Sequence, residues 1–157
     1  MRSRRNPVKH LLFIAALISV PVLACSKYSY LPDMALTPGV VATTDTALVC
    51  EKDYPARARY VTPSTKNKVY AAYSVNKERC VKGCKIDHLI PLAIGGSNDK
   101  ENLWPHEYGA EWNVFAKTRL EVRLRKEVCA GKMPIVEAQA CIRNDWTKCF
   151  MRFYTKP

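Results

Sequence analysis

An acid followed directly by a histidine, Asp87 and His88, lies in the apolar segment 86–92, and an asparagine, Asn102, follows after a pair of glycines. An imidazole that titrates near neutrality can take a proton from water. A carboxylate is the hard oxygen ligand that magnesium prefers. Cutting a phosphodiester bond needs an activated water and positive charge near the leaving oxygen. The spacing therefore indicates metal-assisted phosphodiester cleavage.

Taken singly, each of these residues has an ordinary structural explanation. Asp87 fits the end of a strand, the glycine pair fits a bend, and Asn102 fits a turn. Their combination within one short apolar frame is what favours a chemical role.

The same stretch resembles the HNH endonuclease family, on the segments Asp87-His88-Leu89-Ile90-Pro91-Leu92, Gly95-Gly96 and Asn102-Leu103. The resemblance covers roughly residues 80–130. A longer set of segments is similar to a branch of exported bacterial HNH proteins: Asn102-Leu103-Trp104-Pro105, Trp112-Asn113, Lys117, Glu121, Val128-Cys129-Ala130-Gly131 and Ala138-Gln139. The resemblance implies an α+β fold with a ββα-metal core, made of a short β-hairpin and a helix, and an additional C-terminal helix.

The resemblance also implies roles for single residues. Asp87 would bind a divalent metal, His88 would be the general base, and Asn102 would hold the loop. In the family a histidine or asparagine on the helix completes the metal site, but no histidine lies on the predicted helix of this chain. We expect Asn113 in that position, with Glu111 as the alternative.

Positive charge near the phosphate is expected from the same helix. Lys117 lies one turn beyond Asn113 and is expected to touch the scissile phosphate, with Glu121 as its partner at the four-residue spacing. Arg119 and Arg123 fit either contacts with the DNA backbone or a solvated helix face.

The expected cofactor is a divalent metal, Mg²⁺ in the first place, with Mn²⁺ or Zn²⁺ as alternatives. The expected partner is DNA, and RNA stays open because a metal and a base attack either phosphodiester alike. We expect a monomer. Two rival interpretations stay open: a catalytically inactive, nucleic-acid-binding envelope lipoprotein with an HNH fold, and a disulfide-knit envelope protein that uses the scaffold for protein contacts.

Residues 1–24 have the layout of a secretory signal, with a basic start, an apolar run over 11–23 and small residues before Cys25. The apolar run is shorter than the roughly 20 residues that cross a bilayer. Cleavage would leave either a lipid anchor on Cys25 that attaches the chain to a membrane, or a free secreted chain. We therefore expect an exported protein, located in the periplasm, at the outer membrane as a lipoprotein, or outside the cell.

The chain is basic, with a formal net charge of +11. Removal of residues 1–24 takes away four basic residues and no acidic one, so the net charge falls to +7. Such an excess favours a polyanionic partner through contacts with phosphates and release of counterions.

Six cysteines remain when Cys25 is set aside, an even number that suits full pairing in an oxidising compartment. Cys80 and Cys84 could close a small loop. Cys141 and Cys149 would be about 12 Å apart on an unbroken helix, too far for a disulfide. They need other partners or a broken helix.

After a tether or extended arm over 25–47, residues 48–157 are predicted to form one domain. Thr62 and Pro63 suit the start of a short helix that continues to Tyr73. Apolar residues recur every four positions from about Gly109 to Ala130, which predicts a helix that Gly131 ends, and Pro134 starts a second. The last two helices are predicted to form a hairpin.

Overall fold

The computed structural model of the chain describes residues 31–157. The predicted signal over 1–24 and the predicted lipidation at Cys25 lie outside these residues. Among residues 31–157, no helix combines the length and the apolar character required to cross a membrane.

The described chain is α+β, as the sequence predicts. In chain order the elements are α1 Thr46–Cys50, α2 Tyr54–Ala58, α3 Pro63–Ala72, α4 Lys77–Gly83, β1 Cys84–His88, β2 Leu103–Glu107, α5 Val114–Cys129 and α6 Ile135–Met151, with short 3-10 helices at Leu92–Ile94 and Lys100–Asn102. β1 and β2 form a two-stranded antiparallel sheet in which Cys84 lies opposite Glu107 and His88 lies opposite Leu103. The strand pair is therefore joined by a long loop, 89–102, and α5 follows it.

The loop between the strands is closed by the side chain of Asn102, which is fully buried. Its Oδ1 accepts from the backbone N–H of Ile90 at 2.9 Å, and its Nδ2 donates to the carbonyl oxygens of Ile90 at 2.9 Å and Ser97 at 2.7 Å. Gly96 passes so close that a Cβ there would lie 1.8 Å from the Ile90 carbonyl oxygen. These are the loop-holding contacts expected of Asn102, and they fix the end of β1 where His88 lies.

Helix α5 begins at a capping residue. Asn113 has extended backbone angles, and its Oδ1 accepts from the backbone N–H groups of Phe115 at 2.9 Å and Ala116 at 3.0 Å. The helix thus starts at Val114, later than the predicted start at about Gly109, because the hydrogen bonds of the Asn113 cap fix the first turn. It ends near the predicted place, where Gly131 has a φ of +67°.

Helix α6 packs against α5 and is interrupted at Asp145, whose φ of −167° and ψ of 99° are not helical. The side chain of Asp145 accepts from the backbone N–H groups of Thr147 at 3.0 Å and Lys148 at 3.1 Å, which starts the helix again. The break brings Cys141 and Cys149 to a Cα separation of 5.4 Å as a disulfide. Of the two alternatives that the spacing left open, the broken helix is the one found.

Two further disulfides cross-link the domain. Cys80 pairs with Cys84 as expected, and Cys50 of α1 pairs with Cys129 at the end of α5. The six cysteines of the described residues are thus all paired, and such pairing suggests an oxidising, exported environment.

The described part of segment 25–47 lies against the domain. The backbone N–H of Ser97 donates to Val40, and that of Gly39 donates to Glu101. Thr37 is fully buried, and its hydroxyl donates to the Leu103 carbonyl at 2.8 Å. Residues 37–43 therefore brace the same loop that Asn102 closes.

The core lies between α5, α6 and the loop 89–102. It is built from the four-residue stripe of α5 (Ala116, Leu120, Leu124, Val128), from the matching face of α6, and from Val49, Ile90 and Ile94. Trp104 is also fully buried.

Candidate active site

Asp87 and His88 are neighbours on β1, and neighbouring residues of a strand point to opposite faces. His88 shares its face with Ile86, and both line a pocket of about 240 Å³ that Asp87 does not line. Asp87 shares its face with Lys85, whose ammonium lies 3.3 Å from it. The carboxylate and the imidazole therefore belong to two separate sites.

His88 is held by the side chain of Asn98. Its Nε2 lies 3.1 Å from Oδ1 of Asn98, an oxygen that can only accept, so Nε2 carries the hydrogen and donates. Nδ1 is then the nitrogen with the lone pair, and it forms no hydrogen bond to a residue within 31–157. Burial lowers the pKa of His88 to about 4, so the ring is neutral at neutral pH. A neutral imidazole with a free lone pair is suited to accept a proton.

Asn98 is itself fixed on its other side. Its Oδ1 also accepts from the backbone N–H of Tyr60 at 3.2 Å, and its Nδ2 donates to the Ala58 carbonyl at 2.7 Å. The segment after α2 is thereby fastened beside His88.

The pocket beside His88 is cationic at its edge. Arg59, which follows α2, and Lys66, on α3, both line it and are both exposed. Tyr60 lies between them in the lining and exposes 78 % of its surface. Two exposed cationic groups beside one neutral imidazole form a site that fits an anion such as a phosphodiester.

The Asp87 face is a buried cluster of charges. Oδ2 of Asp87 lies 3.1 Å from Nδ1 of His106 and 3.7 Å from the Lys117 ammonium. Burial alone would raise the pKa of Asp87, but the Lys117 ammonium, the His106 hydrogen bond and Lys85 hold that pKa well below its usual range. Asp87 is therefore a carboxylate surrounded by cationic and N–H groups.

His106 is fully buried between Asp87 and the start of α5. Nδ1 lies 3.1 Å from Oδ2 of Asp87, and Nε2 lies 3.1 Å from the Trp112 carbonyl oxygen. Since both ring nitrogens face acceptors, neither offers a lone pair to a metal ion.

Lys117 is fully buried, which corrects the expectation that it reaches the scissile phosphate. Its ammonium donates to the His88 carbonyl oxygen at 2.6 Å and to Oε1 of Glu121. The partnership with Glu121 at the four-residue spacing is the one expected from the sequence. The position of Lys117 in the core leaves its ammonium beneath the sheet and away from solvent.

The predicted metal pair of Asp87 and Asn113 does not fit a divalent ion in this structure. The Asn113 oxygen already accepts two backbone N–H groups as the cap of α5, and the Asp87 oxygens face Lys85, His106 and Lys117. The alternative, Glu111, is exposed. Across residues 31–157, no group of three or more His, Cys, Asp or Glu is placed to hold a metal ion.

Arg119 and Arg123 face the C-terminal end of α6 and not the His88 pocket. The Arg119 guanidinium lies 4.7 Å from the centre of the Tyr154 ring. Arg123 pairs with Glu127 at 2.8 Å and lies 5.3 Å from the centre of the Phe153 ring. These contacts place both arginines on a helix face away from the His88 pocket, and their contact with the DNA backbone stays a prediction.

Sequence reasoning missed the groups that complete the two sites. Asn98 lies in the loop directly after the glycine pair, and Arg59 and Lys66 come from segments more than 20 positions before His88. The sequence does place His106 before the helix, but its position opposite Lys85 in β2 gives it the role of partner to Asp87. The register between β1 and β2 is the signal that could have predicted the contact between His106 and Asp87.

Comparison of the chain with protein-family models, with curated proteins and with solved structures gave no match.

Proposed function

We propose that this chain is a nuclease that hydrolyses phosphodiester bonds of DNA, with His88 as the general base. The observation that carries the proposal is the His88 ring, which is held at Nε2 by Asn98 and has no hydrogen bond at Nδ1 to a residue within 31–157, in a pocket edged by Arg59 and Lys66. The basic character of the chain supports a polyanionic substrate.

In the proposed reaction Nδ1 of His88 takes a proton from a water molecule as its oxygen attacks phosphorus. The bond from phosphorus to the leaving 3′ oxygen breaks, and that oxygen takes a proton from solvent. Arg59 and Lys66 stabilise the charge that builds on the phosphoryl oxygens. His88 then returns its proton to solvent, so the products are a 5′ phosphate and a 3′ hydroxyl.

The low pKa of the free imidazole is compatible with this role, because the substrate changes it. A phosphodiester anion in the pocket attracts the protonated ring and raises its pKa toward the range in which general bases work best. Arg59 acts in the opposite direction in the empty pocket, where it helps to lower the pKa of His88.

The order of strand, long loop, antiparallel strand and helix supports assignment to the ββα-metal class, as does the loop held by Asn102. The metal itself is not supported by the residues present, since Asp87 and Asn113 are engaged elsewhere. No step of the proposed reaction is routed through a metal ion.

The test is cleavage of supercoiled plasmid DNA and of a single-stranded RNA by the purified chain and its His88→Ala variant. We expect the wild-type chain to cut DNA and the variant to lose at least about a hundredfold in rate while it keeps its fold and its affinity for DNA. Lys148→Ala is the matched control, because Lys148 is an exposed residue of α6 outside the pocket. Cleavage that persists in His88→Ala would overturn the role of His88.

The second candidate is a nucleic-acid-binding envelope lipoprotein without catalytic activity. The surroundings of Asp87 favour this second candidate. The Asp87 carboxylate is held by Lys85, His106 and Lys117 and is therefore not available to a metal. The same experiment separates the two: binding of DNA without cleavage of either polymer, with or without divalent ions, would leave this candidate in place of the nuclease.

A further inference from the structure

The Lys117 ammonium has the surroundings of a bound cation. Two carboxylates, Asp87 and Glu121, and the backbone carbonyl of His88 face it, and it lies 5.2 Å from the centre of the Trp104 ring. The lysine side chain is fully buried, so water takes little part in its solvation. The cation is bound instead by three oxygen groups and an aromatic face.

These oxygens are the kind that a small divalent ion would use. Mg²⁺ and Mn²⁺ prefer carboxylate and carbonyl oxygens, and Asp87, Glu121 and the His88 carbonyl supply them from β1 and α5 around one point. The nitrogen of Lys117 occupies this point. We propose that the Lys117 ammonium is the built-in cation of this site and that it keeps divalent metal ions out.

The charge balance supports the exclusion. Asp87 and Glu121 supply two negative charges, and Lys117 and Lys85 already supply two positive ones. A divalent ion added to this cluster would leave an excess of positive charge inside the protein, where charge is costly. The ion would also have to displace an ammonium that is fixed to the 16-residue helix α5.

The distances around the Lys117 nitrogen also support the exclusion of divalent ions. The Lys117 nitrogen lies 2.6 Å from the His88 oxygen but 3.7 Å from the nearer Asp87 oxygen. Magnesium requires all its oxygens at about 2.0–2.1 Å in near-octahedral order. With Lys117 in place the cage fits an ammonium group, and the Asp87 carboxylate would have to move inward to coordinate the smaller ion.

A divalent ion has a route to this cage once the lysine is gone. Glu121 keeps a side-chain exposure of 20 % and lines a surface cavity of about 430 Å³ beside the Cys50–Cys129 disulfide. Glu121 is therefore the cage residue that an ion in this cavity would meet.

The test is titration with Mn²⁺ alone, followed by electron paramagnetic resonance and calorimetry. We expect no specific binding to the wild-type chain and no change of its melting temperature with Mn²⁺ or with chelator. Lys117→Ala should bind one Mn²⁺ per chain at least about tenfold more tightly than the wild type. Adding Glu121→Gln to that variant should remove the gain.

Stoichiometric Mn²⁺ binding by the wild type that Asp87→Asn abolishes would overturn the proposal. So would a folded Lys117→Ala chain, checked by circular dichroism, that binds Mn²⁺ no better than the wild type. If Lys117→Ala does not fold, the wild-type titration decides, because it needs no variant with an altered core.

One consequence rests on the proposed function: cleavage by the wild type should be unaffected by chelator. The ion-binding result does not rest on it. A chain that cuts nothing but excludes Mn²⁺ until Lys117 is removed would refute the nuclease and support the built-in cation. Cleavage that stops in chelator, together with Mn²⁺ binding by the wild type that Asp87→Asn abolishes, would refute the built-in cation and leave the nuclease in place.

Discussion

The side-chain oxygen of Asn98 lies 3.1 Å from Nε2 of His88, and this one contact decides which ring nitrogen can act as a base. The oxygen accepts, so the hydrogen of the neutral ring is on Nε2 and the lone pair is on Nδ1. Because Asn98 also holds the backbone of Tyr60, the same amide sets the position of the cationic edge of the pocket.

Asn98→Ala should lower kcat by about ten- to a hundredfold with a smaller change in KM, since the ring loses its preferred tautomer and orientation while Arg59 and Lys66 keep their charges. Asn98→Asp is the informative partner. A carboxylate beside Nε2 favours the protonated ring, so the acid limb of the activity profile should move to higher pH. A profile that is the same in both variants would contradict the positioning role of Asn98.

The pH dependence of kcat/KM should reflect the low pKa of His88. A general base must be neutral, and burial lowers the pKa of His88 from 6.5 to about 4. Activity should therefore persist as the pH falls below 6.5 and decline only as it approaches about 4. Initial rates at low substrate between those values measure this, with folding checked by fluorescence at each pH. A decline centred near 6.5 would show that the imidazole is not desolvated.

Arg59→Ala and Lys66→Ala should weaken the binding of DNA, because each removes an exposed cation from the pocket edge. The slope of log Kd against log salt should fall by about 1 for each variant. Lys148→Ala removes one charge from a residue outside the pocket and should leave the rate of cleavage unchanged. Equal effects of all three substitutions on cleavage would indicate that only the net charge matters.

Asn102→Ala should lower the free energy of unfolding by at least about 2 kcal/mol, because it leaves buried backbone groups of Ile90 and Ser97 without partners. Urea denaturation followed by circular dichroism measures the loss. Asn102→Asp would place a second accepting oxygen against the Ile90 and Ser97 carbonyls in a buried site, so its stability should be no higher than that of the alanine variant. A stability equal to the wild type in both would mean that residues 37–43 hold the loop without Asn102.

Much of the fold could be predicted from local patterns. The cap at Thr62, the four-residue stripe of α5 and the stop at Gly131 all depend on neighbours within a few positions, and the structure contains each of them. The interruption of α6 at Asp145 was harder to place. Its sequence cue is a cysteine spacing that excludes an unbroken helix but does not say where the helix breaks.

The site was less predictable, because its charges come together through strand register and long-range packing. Lys117 could be placed on α5 from the sequence, but whether its ammonium faces solvent or Asp87 depends on how α5 lies on β1. In the same way, Asn113 offers an oxygen, and only the exact start of α5 shows that the oxygen is used by the helix itself.

The Cys50–Cys129 bond closes a ring that contains both strands, the pocket and all of α5. With a sequence separation of 79, such a ring contributes about 4.5 kcal/mol to the free energy of unfolding by limiting the unfolded chain. In a reducing compartment such as the cytosol the chain lacks this contribution. If the chain is exported and cuts nucleic acid, the enzyme therefore reaches full stability only after it has left the compartment that holds the cell's own chromosome.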